Sequence, residues 1–227
     1  MATKRLPAAE RRKQLLRASI RVFARRGYHG ATTRQIAEEA QVAEALLYRY
    51  FPSKRDLFTS AVERTAERLI SGLQAVVEAH DDNPRACLGA LLHFYRTTLE
   101  RNAELAKMVF LVSAELDDPE VQSIYLPYQE QALQILQQAI LRWQHAGKVA
   151  ASLPPRATAW IIMGCFQVVA LMKHTGRLQE LNVNPALQLV DAFLRNGDTE
   201  DDGSLHAALA PDRPDAASAA TPKSASA

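Results

Sequence analysis

The fold is decided by one stretch near the N-terminus, ATTRQIAEEAQVAEALLYRYFPSK, residues 31–54. Thr32, followed three positions later by Gln35, has the spacing of a capping box, which begins a helix. Ile36 and the alanines that follow it then share one face at helical spacing. Pro52 ends a second helix soon afterwards, because proline disfavours the helical conformation of the residue before it. The stretch therefore predicts two short helices joined by a tight turn.

The second of these helices is predicted to be only about two turns long, which is too short for a helix to be stable alone in water. Neighbouring helices must hold it, and its outer face keeps hydroxyl, aromatic and cationic side chains. The major groove of B-DNA admits one α-helix. The pattern therefore predicts a helix-turn-helix that binds double-stranded DNA.

Positions across the first quarter of the chain agree, in order and spacing, with a known signature. They are Leu15, Leu16, Ala18, Phe23, Ala24, Gly27, Tyr28, Thr32, Thr33, Ile36, Ala37, Ala40, Val42, Leu47, Tyr48, Tyr50, Phe51, Ser53, Lys54, Leu57 and Phe58. These residues resemble the N-terminal signature of the TetR family of transcriptional regulators. The resemblance implies an all-α protein with an N-terminal three-helix helix-turn-helix DNA-binding domain and a C-terminal helical ligand-binding and dimerisation domain.

Apolar residues at helical spacing predict further helices along the chain. The predicted ranges are 7–26, 54–80, 84–101, 103–115, 119–147, 154–175 and 184–196, and Pro127 is a candidate kink or split. Residues 1–53 are the predicted DNA-binding domain, and residues 54–196 are the predicted ligand-binding and dimerisation domain. The composition then shifts to Ala, Pro, Ser and Asp, so residues 197–227 are predicted to be a disordered tail.

Charge is distributed unevenly along the chain. Residues 1–60 carry 13 Lys and Arg against 5 Asp and Glu, a net charge of +8, whereas residues 61–227 carry 14 against 20, a net charge of −6. A basic N-terminal region on an acidic body indicates that only this region meets a polyanion. Cys87 and Cys165 are isolated and lack metal-ligand spacing with histidine, so no metal or other cofactor is predicted. Without a signal peptide or a run of about 18 apolar residues, we expect a cytoplasmic protein with no membrane partner.

The resemblance and the helix-turn-helix pattern together assign candidate DNA contacts. The candidate DNA-binding residues are Thr33, Arg34, Leu46, Tyr48, Arg49, Tyr50 and Lys54. The family makes phosphate contacts at the positions of Thr33 and Lys54, and the two tyrosines offer hydroxyls to phosphates, although Tyr48 is equally suited to the core. Arg34 and Arg49 are candidates for guanine edges, and either could bind a phosphate instead.

The sequence departs from the family pattern in the turn and in the second helix. Gln41 stands where glycine is usual, so a left-handed conformation there costs free energy. Ala43 replaces the usual Ser or Thr cap, at a cost of about 1 kcal/mol, and Glu44 adds an acid that repels phosphate. Ala45 and Leu46 replace the common Gly and Thr, and apolar side chains can pack on a thymine methyl group. We therefore expect recognition to depend on thymine methyl groups as well as on arginine.

Bulky side chains of the second domain are candidates to line a ligand cavity. They are Phe94, Tyr95, Met108, Phe110, Tyr125, Tyr128 and Phe166, each of which is also suited to an ordinary core. Few charges fall within these apolar runs, so we expect a small hydrophobic effector. The resemblance implies that its binding shifts the long helix that begins at Lys54 and releases the DNA.

Two apolar stripes are candidates for a homodimer interface, as the resemblance implies. They consist of Trp160, Gly164, Val168 and Leu171 on one helix, and of Leu187, Val190 and Leu194 on the next. Either stripe could instead belong to the intramolecular core. A two-fold dimer would read a palindromic operator.

Two other classes of function compete with a regulator. An enzyme is disfavoured, because the chain has no HExxH motif, no GxSxG motif and no Gly-rich phosphate loop. A helical interaction or adaptor protein with an idle helix-turn-helix stays open, since Gln41, Ala43 and Glu44 weaken the motif. The +8 charge of the N-terminal region argues against it. The sequence therefore predicts a ligand-responsive regulator, and repression is the more common mode in the family that it resembles.

Overall fold

Helices dominate the computed structural model, which describes residues 6–181. They are α1 (Ala8–Gly30), α2 (Thr33–Glu39), α3 (Glu44–Tyr48), α4 (Lys54–Ala79), α5 (Pro84–Arg101), α6 (Ala103–Ala114), α7 (Pro119–His145) and α8 (Pro155–His174), followed by a short 3₁₀ helix at Leu178–Glu180. Residues 6–181 contain no strand, so the predicted all-α fold is confirmed. From α4 to α8 the helix ends lie within two residues of the predictions, and α7 continues unbroken through Pro127. The predicted helix 184–196 and the predicted tail 197–227 lie outside the described residues.

Local signals set the starts and turns of the three N-terminal helices. The Thr32 hydroxyl accepts from the Gln35 backbone N–H at 3.2 Å, and the Gln35 side chain accepts from the Thr32 N–H, which completes the predicted capping box. Gly27 has a φ of +72° and interrupts the helical conformation directly after the predicted helix end at residue 26, but a further turn of α1 continues to Gly30. The five-residue α3 has no side-chain cap at Ala43.

A first hydrophobic core holds these helices together. The largest fully buried side chains that residues 8–58 contribute to it are Leu15, Phe23, Ile36, Leu47, Phe51, Leu57 and Phe58. The rings of Phe23 and Phe58 meet edge to face, with their centroids 5.2 Å apart. Because Leu47 of α3 is buried here, the packing stabilises a helix that is too short to form alone.

Helix α4 links the first core to a second one. Ser53 begins α4 by accepting from the Asp56 backbone N–H at 3.1 Å, and its 26 residues extend about 39 Å at 1.5 Å per residue. Leu57, near its start, lies in the first core. Leu73 and Val77, near its end, lie in the second core with residues of α5, α7 and α8. One continuous helix therefore connects the helix-turn-helix to the helical body.

Packing is also continuous across the boundary predicted between residues 53 and 54. Met108 and Val112 of α6, together with Val121 of α7, belong to the same core as residues of α1 and α2. The described residues all fall within one compact unit. The helix-turn-helix is therefore packed against the body through α6 and α7, in addition to its covalent link through α4.

Gln41, in the turn between α2 and α3, has a φ of +56°, and this left-handed conformation costs a residue with a side chain about 1–2 kcal/mol. Glycine adopts the same conformation without that cost. We expect Gln41→Gly to raise the free energy of unfolding by about 0.5–1 kcal/mol in urea denaturation. The matched control is Gln138→Gly at an exposed position inside α7, which should lower it by about 1 kcal/mol. A loss of stability in Gln41→Gly would contradict strain at this turn.

Candidate DNA-binding surface and ligand cavity

The outer side of α2 and α3 carries most of the residues predicted to contact DNA. Arg34, Tyr48 and Arg49 are exposed, whereas Thr33, Leu46, Tyr50 and Lys54 are partly buried. Tyr48 is 47% exposed, so the structure places it on the surface and not in the core. Ala45 is also exposed on α3. The surface therefore combines cationic, phenolic and apolar groups.

Hydrogen bonds tie α2 to α3 within this surface. The Thr33 hydroxyl donates to Glu44 Oε1 at 2.6 Å and lies 3.1 Å from the Tyr48 hydroxyl oxygen. Thr33 was expected to bind a phosphate, and Glu44 was expected to repel one. In the structure, Glu44 accepts a hydrogen bond from the Thr33 hydroxyl. Arg34 Nε donates to Glu38 Oε1 at 3.1 Å in an exposed pair. Such pairs contribute little to stability, so Arg34 can exchange this partner for DNA.

Lys54 has an intramolecular role that the predicted phosphate contact did not include. Its ammonium group donates to the backbone oxygens of Tyr28 and Ala31 at 3.0 and 3.1 Å. The same group lies 4.6 Å from the centroid of the Tyr28 ring. Lys54 therefore fastens the start of α4 to the end of α1, where a cation is favourable. These contacts join residues 26 and 23 positions apart, so no local sequence pattern predicts them.

Part of the basic charge of the N-terminal region is paired inside the protein. Glu39 accepts from Arg21 Nε at 2.7 Å and also from Arg25, and these hydrogen bonds lower the pKa of the Glu39 carboxyl. The Arg12 guanidinium lies 4.8 Å from the centroid of the Phe51 ring. Several of the 13 cations in residues 1–60 therefore already have partners within the protein.

A cavity of about 110 Å³ is bounded by α4, α5, α6, α7 and α8. It is lined by five of the predicted ligand residues, Phe94, Tyr95, Tyr125, Tyr128 and Phe166. The structure does not bring the other two to the cavity. Met108 is fully buried in the first core, and the Phe110 ring faces His174, with the ring centroids 5.3 Å apart.

Helix α4 supplies a wall of the cavity that the prediction did not include. Its lining residues are Val62, Thr65, Ala66, Leu69, Ile70 and Leu73. Val62, Leu69 and Leu73 belong to the apolar stripe whose helical spacing predicts this helix from the sequence. Helical periodicity shows which residues share a face, but it does not distinguish a residue facing a cavity from one facing another side chain.

No charged side chain lines the cavity within the described part of the chain. Its polar groups are the hydroxyls and amides of Thr65, Tyr95, Tyr125, Tyr128, Gln129 and Gln167. Burial raises the pKa of the Tyr95 and Tyr125 phenols, so both are neutral at physiological pH. The cavity is therefore apolar, with a small number of neutral hydrogen-bonding groups.

One face of α8 is apolar and uncovered in the protomer. Its large exposed residues, each 46–54% exposed, are Trp160, Ile161, Val168 and Leu171. A Cβ added at Gly164, also on α8, would meet no atom within 4 Å. The remaining predicted interface residues, Leu187, Val190 and Leu194, lie outside the described residues. The described part of the predicted interface is thus exposed and does not belong to the intramolecular core.

Helix α8 is also long and apolar enough to cross a membrane, with a mean hydropathy of 1.3 over 18 residues. This property was not expected from the sequence. A single such helix is weak evidence for a span, because apolar helices of water-soluble proteins meet the same criterion. Its other face, which includes Ala159, Ile162 and Val169, is buried in the protein.

Lys54 is expected to contribute to the stability of the protein, and Arg49 is expected to contribute to DNA binding. Lys54→Ala removes two hydrogen bonds from an ammonium group and should lower the free energy of unfolding by about 1–2 kcal/mol in urea denaturation. Arg49→Ala, at an exposed position, should leave stability unchanged. If Arg49 binds a phosphate, its loss should reduce the slope of log affinity against log salt by about 0.9. Lys107→Ala, exposed on α6, is the control, and unchanged stability in Lys54→Ala would contradict its fastening role.

Residues 15–61 match a known family, described as "Bacterial regulatory proteins, tetR family". This range contains α2, α3, most of α1 and the beginning of α4. The match therefore coincides with the helix-turn-helix and with the core that supports it.

Two relatives and one solved structure extend this likeness. The HTH-type transcriptional activator FasR of Mycolicibacterium smegmatis is 36% identical over 106 residues, which cover 47% of this chain and 48% of FasR. The HTH-type transcriptional repressor KstR of the same species is 47% identical over 60 residues, 26% of this chain and 29% of KstR. The transcriptional regulator FadR from Bacillus subtilis, solved with stearoyl-CoA, is 21% identical with a TM-score of 0.65, and the alignment covers 82% of this chain and 98% of FadR.

The chain thus spans about half the length of FasR and less than a third of KstR, and its likeness to FadR concerns the fold. The relatives are named as regulators and not as enzymes. Residues 15–61 therefore form a helix-turn-helix of the kind found in the TetR family of bacterial regulatory proteins, and the helical architecture of the described chain is similar to that of a solved transcriptional regulator.

Proposed function

We propose that this protein is a ligand-responsive transcriptional regulator that binds a palindromic operator as a homodimer and is released by a small apolar effector. The observation that carries the proposal is the course of α4, which begins in the core of the helix-turn-helix and then lines the cavity. A molecule in the cavity contacts the same helix that supports the DNA-binding surface. FasR is named an activator and KstR a repressor, and we favour repression, the more common mode in the family.

The DNA-binding part of the proposal rests on α3 and its surroundings. Arg49 and Tyr48 are exposed, and the exposed pairing of Arg34 leaves that guanidinium able to bind a base or a phosphate. Ala45 and Leu46 are suited to thymine methyl groups in the major groove. Contacts to phosphates position the protein, whereas contacts to base edges specify the sequence. This surface offers both kinds of contact.

The cavity supports an apolar effector. Its aliphatic and aromatic lining with a few polar groups is typical of small-molecule sites. At about 110 Å³ it is smaller than the roughly 300–1,000 Å³ of most ligand pockets, so an effector must displace side chains. Phe94, which lines the cavity, packs closely on α4, because a Cβ added at Gly72 would lie 1.9 Å from its ring. FadR, which was solved with stearoyl-CoA, supports a ligand with a long apolar chain in this fold.

Two connections carry a movement of the cavity wall to the DNA-binding surface. The first is α4 itself. The second is Arg55, near the start of α4, which donates to Glu120 and Asp118 at the start of α7. Hydrogen bonds to Glu120 and Asp118 raise the pKa of Arg55, which therefore stays charged. An effector changes DNA affinity only through its different affinities for two states, and expansion of the cavity against α4 supplies that difference.

The uncovered face of α8 supports the homodimer. Monomeric proteins rarely expose large contiguous apolar patches, and Gly164 allows another helix to approach closely. A two-fold pair places two helix-turn-helix motifs on half-sites about 34–36 Å apart, one turn of B-DNA. Covering this face in a dimer also accounts for the apolar character of α8 without a membrane.

A helical adaptor with an idle helix-turn-helix is the second candidate function. The observations that favour it are the uncapped start of α3 and the hydrogen bond between Thr33 and Glu44, which occupies both side chains. An adaptor would show no sequence preference on DNA and little salt dependence, because only a DNA binder releases counterions.

Selection from a pool of random duplexes at about 150 mM salt separates these functions. We expect recovery of a palindrome with half-sites one helical turn apart, because non-specific binding is weak at this salt concentration. Affinity for the recovered site should fall steeply as the salt concentration rises. If the folded dimer enriches no sequence, the regulator is contradicted and the adaptor is favoured.

Val168→Glu tests the dimer, because it places a charge within the exposed face of α8, where an interface would bury it at high cost. We expect a monomer by light scattering and loss of tight operator binding. Gln131→Glu, which adds the same charge at an exposed position on α7, should remain dimeric. Cys165, exposed on α8, should be alkylated faster in the monomer, whereas Cys87, whose thiol pKa burial raises to about 11, should stay unreactive. A dimer that survives Val168→Glu would place the interface elsewhere.

A further inference from the structure

One residue of the cavity lining, Thr65, has a buried hydroxyl that the apolar character of the lining does not account for. Thr65, on α4, is 7% exposed, and its Oγ1 is the one buried side-chain oxygen or nitrogen without a hydrogen-bond partner among the described residues. Other buried threonines are bonded. The hydroxyl of Thr59, on the same helix, donates to the Asp56 carbonyl at 3.2 Å, and that of Thr158 donates to the Pro154 carbonyl at 2.9 Å.

A buried hydroxyl without a partner costs free energy, and its position decides what could bind it. Thr65 lines the cavity between Val62 and Leu69 of the same helix. Because the lining carries no charged side chain, a charged ligand group would have no counter-charge there and would be costly to bury. A hydroxyl both donates and accepts. The group that fits is therefore a neutral oxygen, either a carbonyl or a hydroxyl.

The two glutamines of the lining are less suited to this role. Gln129 bonds to the Tyr125 hydroxyl, so that pair partly satisfies itself. Gln167 lies at an exposed position and can bond to water. Thr65 alone combines burial, a place in the lining and the absence of a partner within the described residues.

We propose that the cavity takes a mainly apolar, neutral ligand carrying a carbonyl or hydroxyl oxygen, and that Thr65 selects it through a hydrogen bond. This inference rests on the proposed function, since it takes the cavity as the effector site. The bond joins the ligand directly to α4, the helix that reaches the DNA-binding core. An apolar molecule without the oxygen fills the same space and leaves the hydroxyl unpaired.

Two probes of similar shape, acetophenone and isopropylbenzene, test whether Thr65 selects a ligand oxygen. Acetophenone has a carbonyl oxygen where isopropylbenzene has a methyl group. The measurement is the ratio of their dissociation constants for the full-length protein, obtained by NMR titration. Thr65→Val keeps the shape of the side chain and removes the hydroxyl, and it should shift this ratio against acetophenone by roughly three- to tenfold. Thr65→Ser keeps the hydroxyl and should keep the preference.

Thr59→Val is the matched control, because it removes a buried hydroxyl from α4 outside the cavity. It should leave the ratio unchanged and lower the temperature of unfolding, since a bonded hydroxyl is lost. Thr65→Val should instead raise the temperature of unfolding of the ligand-free protein. A lower temperature would show that the Thr65 hydroxyl is satisfied within the protein, which would overturn the proposal.

The remaining outcomes separate the role of Thr65 from the function of the cavity. If both probes bind and Thr65→Val leaves their ratio unchanged, selection by Thr65 is overturned and the cavity stands as an apolar effector site. If neither probe binds any variant up to its solubility, the cavity is contradicted as an effector site, and the role of Thr65 is overturned with it.

Discussion

The interior backbone hydrogen bonds of α4 are the interaction on which the rest of the structure depends. They make one rigid element of 26 residues, and its two ends are buried in different cores. Phe58 packs near the aromatic ring of Phe23 at the helix-turn-helix end, and Leu73 and Val77 pack in the second core with α5, α7 and α8. Because interior backbone hydrogen bonds resist bending, a displacement at one end of α4 cannot be absorbed locally.

The cavity lies between α4 and the helices α5 to α8, where their side chains do not fully cover α4. Phe94 of α5 packs against Gly72, and aromatic side chains from α5, α7 and α8 surround the space that remains. Close packing is the normal state of protein interiors, and buried hydroxyls normally have partners. A cavity lined by a threonine whose hydroxyl has no partner departs from both expectations. The threonine lies on α4, the helix that reaches the DNA-binding core. Such departures tend to mark functional sites.

Electrostatics in the helix-turn-helix serves structure as well as DNA. Lys54 fastens α4 to α1, and Glu39 holds two arginines of α1. These contacts stabilise the arrangement of α1, α2 and α4, next to which Arg49 is exposed. Three of the 13 cations in residues 1–60 therefore have partners within the protein, and the salt dependence of DNA binding should reflect the cations that remain.

Features that depend on residues within a turn or two of one another can be predicted from the order of the residues alone. The capping box at Thr32, the cap at Ser53, the left-handed Gln41 and the helix ends follow from local propensity and sterics, and the family resemblance follows from the order of such signals. Which side chains line the same cavity or belong to the same core is seen only in the tertiary structure. Met108 and Phe94 are both bulky and apolar in the sequence, yet only Phe94 lines the cavity, and only the tertiary structure shows that Thr65 lines it with an unpartnered hydroxyl. The physical reason is that periodicity determines the face of a helix, whereas the packing of distant segments determines what that face meets.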